Sequence, residues 1–162
     1  MAINMTDFEN AISAMKEQFG RDYQFALSTC RNNIPSSRFV DTYFDGENFY
    51  IVTYKLSQKA VEIAENPNVS LCSRQMHAFS GQAHIIGHPL DPDNSEIRSS
   101  LIQAFERWYF KHNDEADENM CYIKINPITG FFHKNGTGYK VNFIERTVNS
   151  FPFNLDIVMI ED

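Results

Sequence analysis

The chain has 162 residues, enough to bury a real core, and reads as one domain spanning 1–162. Hydrophobic residues make up 43% and charged residues 22%, as in an ordinary globular protein, and fourteen Phe and seven Tyr against seven Gly favour a compact β-rich core over a linker-rich chain. A formal net charge of −7 with no compensating basic run disfavours nucleic acid and anionic membrane as partners, so any bound phosphate needs a local pocket.

The first ten residues carry Asp7 and Glu9 and lack a basic stretch followed by an apolar run, so no secretory signal is read there. No segment approaches membrane-spanning length. Cys30, Cys72 and Cys121 are odd in number, far apart and in strand-like contexts. They are expected to be buried free thiols of a cytoplasmic protein.

Thr6-Asp7-Phe8-Glu9 is a capping box, and Phe8, Ile12, Met15 and Phe19 then share a helical face ending at Gly20. Tyr23, Phe25 and Leu27 alternate with Gln24, Ala26 and Ser28 as a half-buried strand, and Arg31-Asn32-Asn33 turns the chain. The next strand runs from about Ser36 to Phe44. Arg38, Val40 and Thr42 share one of its faces, Phe39, Asp41 and Tyr43 the other. Arg38 can thus position an anion from a rigid strand, or else pair at the surface with Asp41 or Asp45.

A hairpin turn at Asp45-Gly46 leads into a strand from Asn48 to Tyr54. Ser57 sits where a helix N-cap is wanted, Ala60, Val61 and Ala64 follow as an apolar stripe, and Asn66-Pro67 stops the helix. Lys59 therefore falls in the first turn, beside unpaired N–H groups and the positive end of the helix dipole. A bound anion would suit that position, with the amides, the Ser57 hydroxyl and the ammonium all directed at it. The alternative is a solvated lysine eased by Glu62, three residues on.

Strands are expected at Val69–Ser73 and Phe79–Gly87, with Gly81 marking a bulge or a close backbone approach. Beyond the Pro89–Pro92 loop, Asp93-x-x-Glu96 opens a third helix with Ile97, Leu101, Phe105 and either Trp108 or Tyr109 on its apolar face. An acidic loop covers Asp114–Asn119. Strands at Met120–Asn126 and Thr129–His133 are read as joined by Pro127, with a last strand at Tyr139–Asn142 after a Gly136-Thr137-Gly138 turn. The end of the chain is apolar at Phe151, Phe153, Leu155 and Ile157 and should dock on the body of the protein.

The series Pro35-x-x-Arg38, Asp45-Gly46, Tyr50-x-x-Thr53, Ser57-Gln58-Lys59 and Asn66-Pro67-x-Val69 resembles the flavin-binding half of the pyridoxamine 5'-phosphate oxidase family over roughly residues 20 to 130. Each motif is weak alone; their order and spacing carry the likeness. The resemblance implies a mainly β fold with flanking helices, an FMN-binding split β-barrel, built as a homodimer. It implies that Arg38 and Lys59 bind the FMN phosphate, assisted by Ser57 and Gln58, and that Val40 and Thr53 lie near the ring or ribityl chain. Gln82 is the candidate for a polar contact with the ring, or else an ordinary strand glutamine facing water. Family members often carry a basic residue where this chain has Gln58.

No Gly-x-Ser-x-Gly is present, and the cysteines and histidines form no recognisable nucleophilic pair. His84 and His88 would share a strand face, too far apart to hold one metal, so no metal is expected. The family's substrate-gripping Trp and Arg-x-His-type segment is replaced by Phe151-Pro152-Phe153-Asn154-Leu155-Asp156 and an acidic continuation. Pyridoxamine 5'-phosphate is therefore not the expected substrate. The expectation is an FMN-dependent oxidoreductase acting on another small molecule; the alternatives are a flavin-binding or storage protein without turnover, and relatives using F420 or haem.

Overall fold

A computed structural model describes residues 5–156. Helix α1 (Asp7–Phe19) begins with the capping box: Thr6 accepts from the Glu9 amide at 3.1 Å and Glu9 accepts from the Thr6 amide at 2.8 Å. Phe8, Ala11, Met15 and Phe19 form its buried stripe, with Ala11 rather than Ile12 at the bottom. Strands β1 (Tyr23–Arg31) and β2 (Ile34–Phe44) make a hairpin across Asn32 and Asn33, both with positive φ, as a two-residue primed turn requires. Strand β3 (Phe49–Tyr54) follows, then helix α2 (Gln58–Glu65), and strands β4 (Asn68–Cys72) and β5 (Ala78–Gly87). Helices α3 (Ser95–Ala104) and α4 (Tyr109–His112) lead to the long strand β6 (Met120–Lys134), then β7 (Thr137–Asn142) and β8 (Thr147–Pro152).

The strands are all antiparallel, in the order β3-β2-β1-β4-β5-β6, and β3 pairs again with β6 to close a six-stranded barrel. β7 and β8 extend the sheet from β6. The expected mainly β fold, a split β-barrel with flanking helices, is the observed one. Its interior is aromatic. Phe19 from α1 lies 5.5 Å from Phe25, 5.6 Å from Phe79 and 6.2 Å from Phe49, ring centre to ring centre. Each such fully buried ring contributes about 1.5–3 kcal/mol. A second cluster covers the outer face of β3 and β6, where Tyr50, Met120 and Tyr122 pack under Leu101, Phe105 and Tyr109.

Several expectations are corrected. β6 is one strand, not two joined by Pro127, because Pro127 stands opposite Gly81 at a register shift where the missing N–H breaks no regular ladder. Gly81 is the close approach expected of it: a Cβ there would lie 2.1 Å from the Asn126 carbonyl oxygen. The third helix ends at Ala104, with Phe105 as its C-cap, and Tyr109 rather than Trp108 is buried. Asp93 caps nothing; it sits in a short 3-10 turn, Pro92–Asn94. The β6–β7 hairpin turns at Asn135-Gly136, leaving Thr137 and Gly138 in β7. A further strand, β8, forms at the C-terminal end, where Phe151 stacks 6.0 Å from Phe131 and Phe153 packs 4.8 Å from His133. Ile157 lies outside the described residues. Cys121 is buried, but Cys72 is exposed, since its position on β4 faces outward.

Candidate functional site

The barrel is split beside β2. β3 pairs with it only at Tyr43–Tyr50 and Phe44–Phe49, then runs on along β6, so among the described residues no strand covers the far edge of β2 over Ile34–Thr42. Helix α2 starts at the open end of this split. Ser57 caps it, accepting from the Ala60 amide at 3.4 Å, and its hydroxyl lies 3.2 Å from that of Thr53. Ala60 and Ile63 anchor the helix in the core, while Ala64, part of the expected stripe, is exposed. The amides of Gln58 and Lys59 have no acceptor among the described residues and belong to the donor-rich first turn.

Around this helix start the structure brings together Arg38, Thr53, Ser57, Gln58 and Lys59, and with them Thr29, Ser36 and Glu62. Arg38 reaches back across β1: its Nη1 donates to Thr29 Oγ1 at 2.7 Å and to the Leu27 carbonyl at 3.4 Å. Its Nη2 donates to Glu62 at 3.3 Å. Thus neither Asp41 nor Asp45 is its partner, and Glu62 pairs with Arg38 instead of easing Lys59. The Glu62 side chain is only 6% exposed, and it also accepts from Thr29, from Gln58 at 2.8 Å and from Ser36 at 3.3 Å. The Thr29 and Gln58 donors, with the nearby guanidinium, hold its carboxyl below the ordinary glutamate range.

Lys59 is the member without a protein partner. Its ammonium has no hydrogen bond or ion pair among the described residues. Burial, and then the positive charge of Arg38, holds its pKa below the usual lysine value. Arg38 keeps two further N–H groups, Nε and one on Nη2, with no acceptor among the described residues. The cluster is thus two adjacent cations and two helix-start amides at the mouth of a split, with one internal carboxylate.

The other expected contacts stand apart from this cluster. The Val40 side chain is 7% exposed and packs in the core, and its backbone lies on β2 opposite Phe25 of β1. Gln82 lies on β5, where its amide donates to Asn68 at 3.4 Å and none of its hydrogen bonds reaches the cluster. Trp108 stacks 4.6 Å from Phe105 and donates to Asp22 at 2.7 Å. His88 lies beyond the end of β5, its ring against the Asp117 carbonyl at 3.0 Å, while His84 stays exposed on the strand. Among the described residues no three His, Cys, Asp or Glu side chains are grouped to hold a metal. A groove of about 630 Å³ lies elsewhere, between α1 and the β7–β8 turn, with Phe8, Ile12, Phe143 and Arg146 in its walls. Ser13, Lys16, Asn48 and Asn126 line it as well, away from the start of α2.

A split antiparallel barrel with a donor-rich helix start at the mouth of the split defines a class. Residues 12–134 match the family model described as pyridoxamine 5'-phosphate oxidase, and the chain belongs to that family as a relative rather than as the oxidase itself. It is 28% identical over 105 residues to general stress protein 26 of Bacillus subtilis (strain 168), covering 63% of this chain and 73% of that protein. The crystal structure of general stress protein 26 from Bacillus anthracis str. Sterne is 27% identical, with a TM-score of 0.56 over 78% of this chain and 93% of that one. Two structures of lower identity share the fold alone. An FMN-binding, pyridoxamine 5'-phosphate oxidase-related protein from Nostoc punctiforme is 14% identical, with a TM-score of 0.55 over 94% and 100% of the two chains. HutZ, the haem storage protein of Vibrio cholerae, is 12% identical, with a TM-score of 0.57 over 75% and 91%. Among the described residues no helix is long and apolar enough to cross a membrane.

Proposed function

We propose that this chain is an FMN-dependent oxidoreductase of the pyridoxamine 5'-phosphate oxidase-like superfamily, acting on a small molecule other than pyridoxamine 5'-phosphate. The observation that carries the reading is the unpartnered Lys59 ammonium beside Arg38, at the free amides that open α2. Arg38 has Glu62, but the half-buried Lys59 beside it has no partner among the described residues, and an anion would offset both its burial and its repulsion from Arg38. The donor set fits a phosphate: a guanidinium fork, an ammonium, backbone N–H groups and the Ser57 hydroxyl.

FMN would supply hydride transfer from its ring, and the protein would hold and orient it. Arg38, Lys59 and the α2 start fix the phosphate end. Thr53 lies one hydrogen bond from Ser57 and offers a hydroxyl toward the ribityl side. The uncovered edge of β2 offers backbone groups along the split. Ile34, Phe39 and Leu56, exposed by 67%, 56% and 77%, stand on the elements flanking this site. A second copy of the chain covering them would form the homodimer and exclude water from the ring. Sedimentation equilibrium giving a stable monomer with full flavin affinity would overturn the dimer.

A second reading, a flavin-binding or storage protein without turnover, is favoured by one feature of the cluster. Thr29, Ser36 and Gln58 all serve to hold Glu62, which in turn holds Arg38; this is binding equipment rather than acid–base equipment. Reduction of the bound flavin by NADH or NADPH, followed by multiple turnovers with an acceptor, separates the two.

The primary test is a flavin-fluorescence titration of FMN and riboflavin against wild type and Lys59→Ala. FMN should bind wild type more tightly, and the variant should lose about ten- to a hundredfold for FMN and little for riboflavin. Equal losses for both ligands, or no FMN binding to wild type, would sink the reading. The absorption spectrum of the purified protein, with mass identification of what it releases on denaturation, distinguishes FMN from F420 or haem.

A further inference from the structure

Glu62 is the odd residue of the site. Two cations at a helix start attract an anion, yet the protein places a carboxylate of its own against one of them. This carboxylate is not a loose surface group. Its side chain is 6% exposed and receives four donors from four residues on three elements: Thr29 on β1, Ser36 and Arg38 on β2, and Gln58 on α2. The Gln58 pairing joins i and i+4 on one helix face, so the helix itself carries both the carboxylate and its clamp. The usual expectation of a surface Glu solvating the first turn does not describe such a group.

The Arg38 contacts show what the carboxylate leaves available. Both Nη1 hydrogens are committed, to Thr29 and to the Leu27 carbonyl, and one Nη2 hydrogen to Glu62. Nε–H and the second Nη2–H remain, and together they form one edge of the planar guanidinium. Glu62 therefore holds the guanidinium in place by one side while lowering the charge of the site from two positive groups to a net of one. A phosphate on the remaining edge would sit within a few ångströms of a fixed negative charge.

We propose that Glu62 is a specificity-determining residue of the site: an internal counter-ion that limits how tightly the Arg38–Lys59 pair holds a phosphate ester. The inference rests on the anion-site reading of the preceding subsection and adds to it the sign of the Glu62 contribution. Removing the charge while keeping shape should strengthen phosphate binding, because it takes a fixed like charge from beside the phosphate while Thr29 and the Leu27 carbonyl still hold Arg38 through Nη1. A flavin without a phosphate should not sense the change.

The test titrates wild type, Glu62→Gln and Glu62→Met with FMN and with riboflavin at low and at physiological ionic strength. Glu62→Gln keeps an acceptor for Thr29; Glu62→Met keeps the length without polarity and serves if the glutamine variant fails to fold. The expected result is FMN binding tighter by about tenfold in either folded variant, a larger gain at low salt, and riboflavin affinity unchanged. Weaker or unchanged FMN binding in the variants, with wild type still preferring FMN over riboflavin, would overturn the counter-ion role and leave the anion site standing. Wild type showing no preference for FMN would remove both.

Discussion

His77 is fully buried between β4 and β5, and lowering the pH should destabilise the fold through this ring. Its Nδ1 accepts from the His133 amide at 3.4 Å, and its Nε2 lies 2.9 Å from the Gln18 side-chain amide. With Nδ1 accepting, the neutral ring carries its proton on Nε2, and half a turn of the Gln18 amide sets its otherwise unpartnered Oε1 on that N–H. The His133 ring stacks on it at 4.5 Å, and Phe19 and Tyr23 pack edgewise at 5.1 and 6.2 Å. No carboxylate faces the ring among these neighbours. Burial, and then the like charge of His133, lowers its pKa to about 4.

A histidine depressed in the folded state binds its proton more readily when unfolded, so stability is full above the unfolded pKa of about 6.5 and falls as pH drops toward about 4. The loss at pH 5 is about 2 kcal/mol, rising to about 3 kcal/mol below pH 4. Urea unfolding followed by circular dichroism, for wild type and His77→Gln at about pH 7 and about pH 5, measures it. The variant is less stable at neutrality, having lost a fitted ring, but its loss on acidification should be smaller than that of wild type by about 2 kcal/mol. Equal losses in the two proteins would refute the assignment to His77.

Gly81→Ala places a methyl group against the Asn126 carbonyl oxygen at 2.1 Å, where backbone must move, and should cost about 2–4 kcal/mol in the same unfolding assay. Arg98→Ala leaves Glu115, whose side chain is 13% exposed, without its two-point partner beside the Tyr109–Tyr122 hydroxyl pair, and should cost about 2–3 kcal/mol. Asp41 is lifted to about 6 by burial and then by Asp22, so its charged form opposes folding as pH rises from about 4 to above 6; Asp41→Asn should stabilise the protein by about 1 kcal/mol at neutrality and not below about pH 4. Thr6→Ala removes the capping box and should lower stability by about 1 kcal/mol, with thermal unfolding as the readout.

Local order was legible along the chain wherever one residue type enforces one geometry. The Thr6 capping box, the Ser57 cap, the alternation of Phe25 and Leu27, and the need for glycine at position 81 rest on backbone donors, on side-chain period or on the absence of a Cβ. They hold within a few residues, so they survive whatever the rest of the fold does. The start of α2 at the Ser57 cap, which puts Lys59 in its first turn, was legible in the same way.

Pairings across the barrel were not visible. Glu62 lies three residues from Lys59 and twenty-four from Arg38, and sequence spacing alone favours the nearer partner; closure of β1, β2 and α2 against one another gives it to Arg38. Pro127 looks like a strand break until Gly81 and a register shift stand opposite it. β8 becomes a strand only because β7 supplies an edge to pair with. Hydrogen bonds and ion pairs act at about 3 Å, whatever the separation along the chain, so partners contributed by distant elements exist only once the barrel has closed.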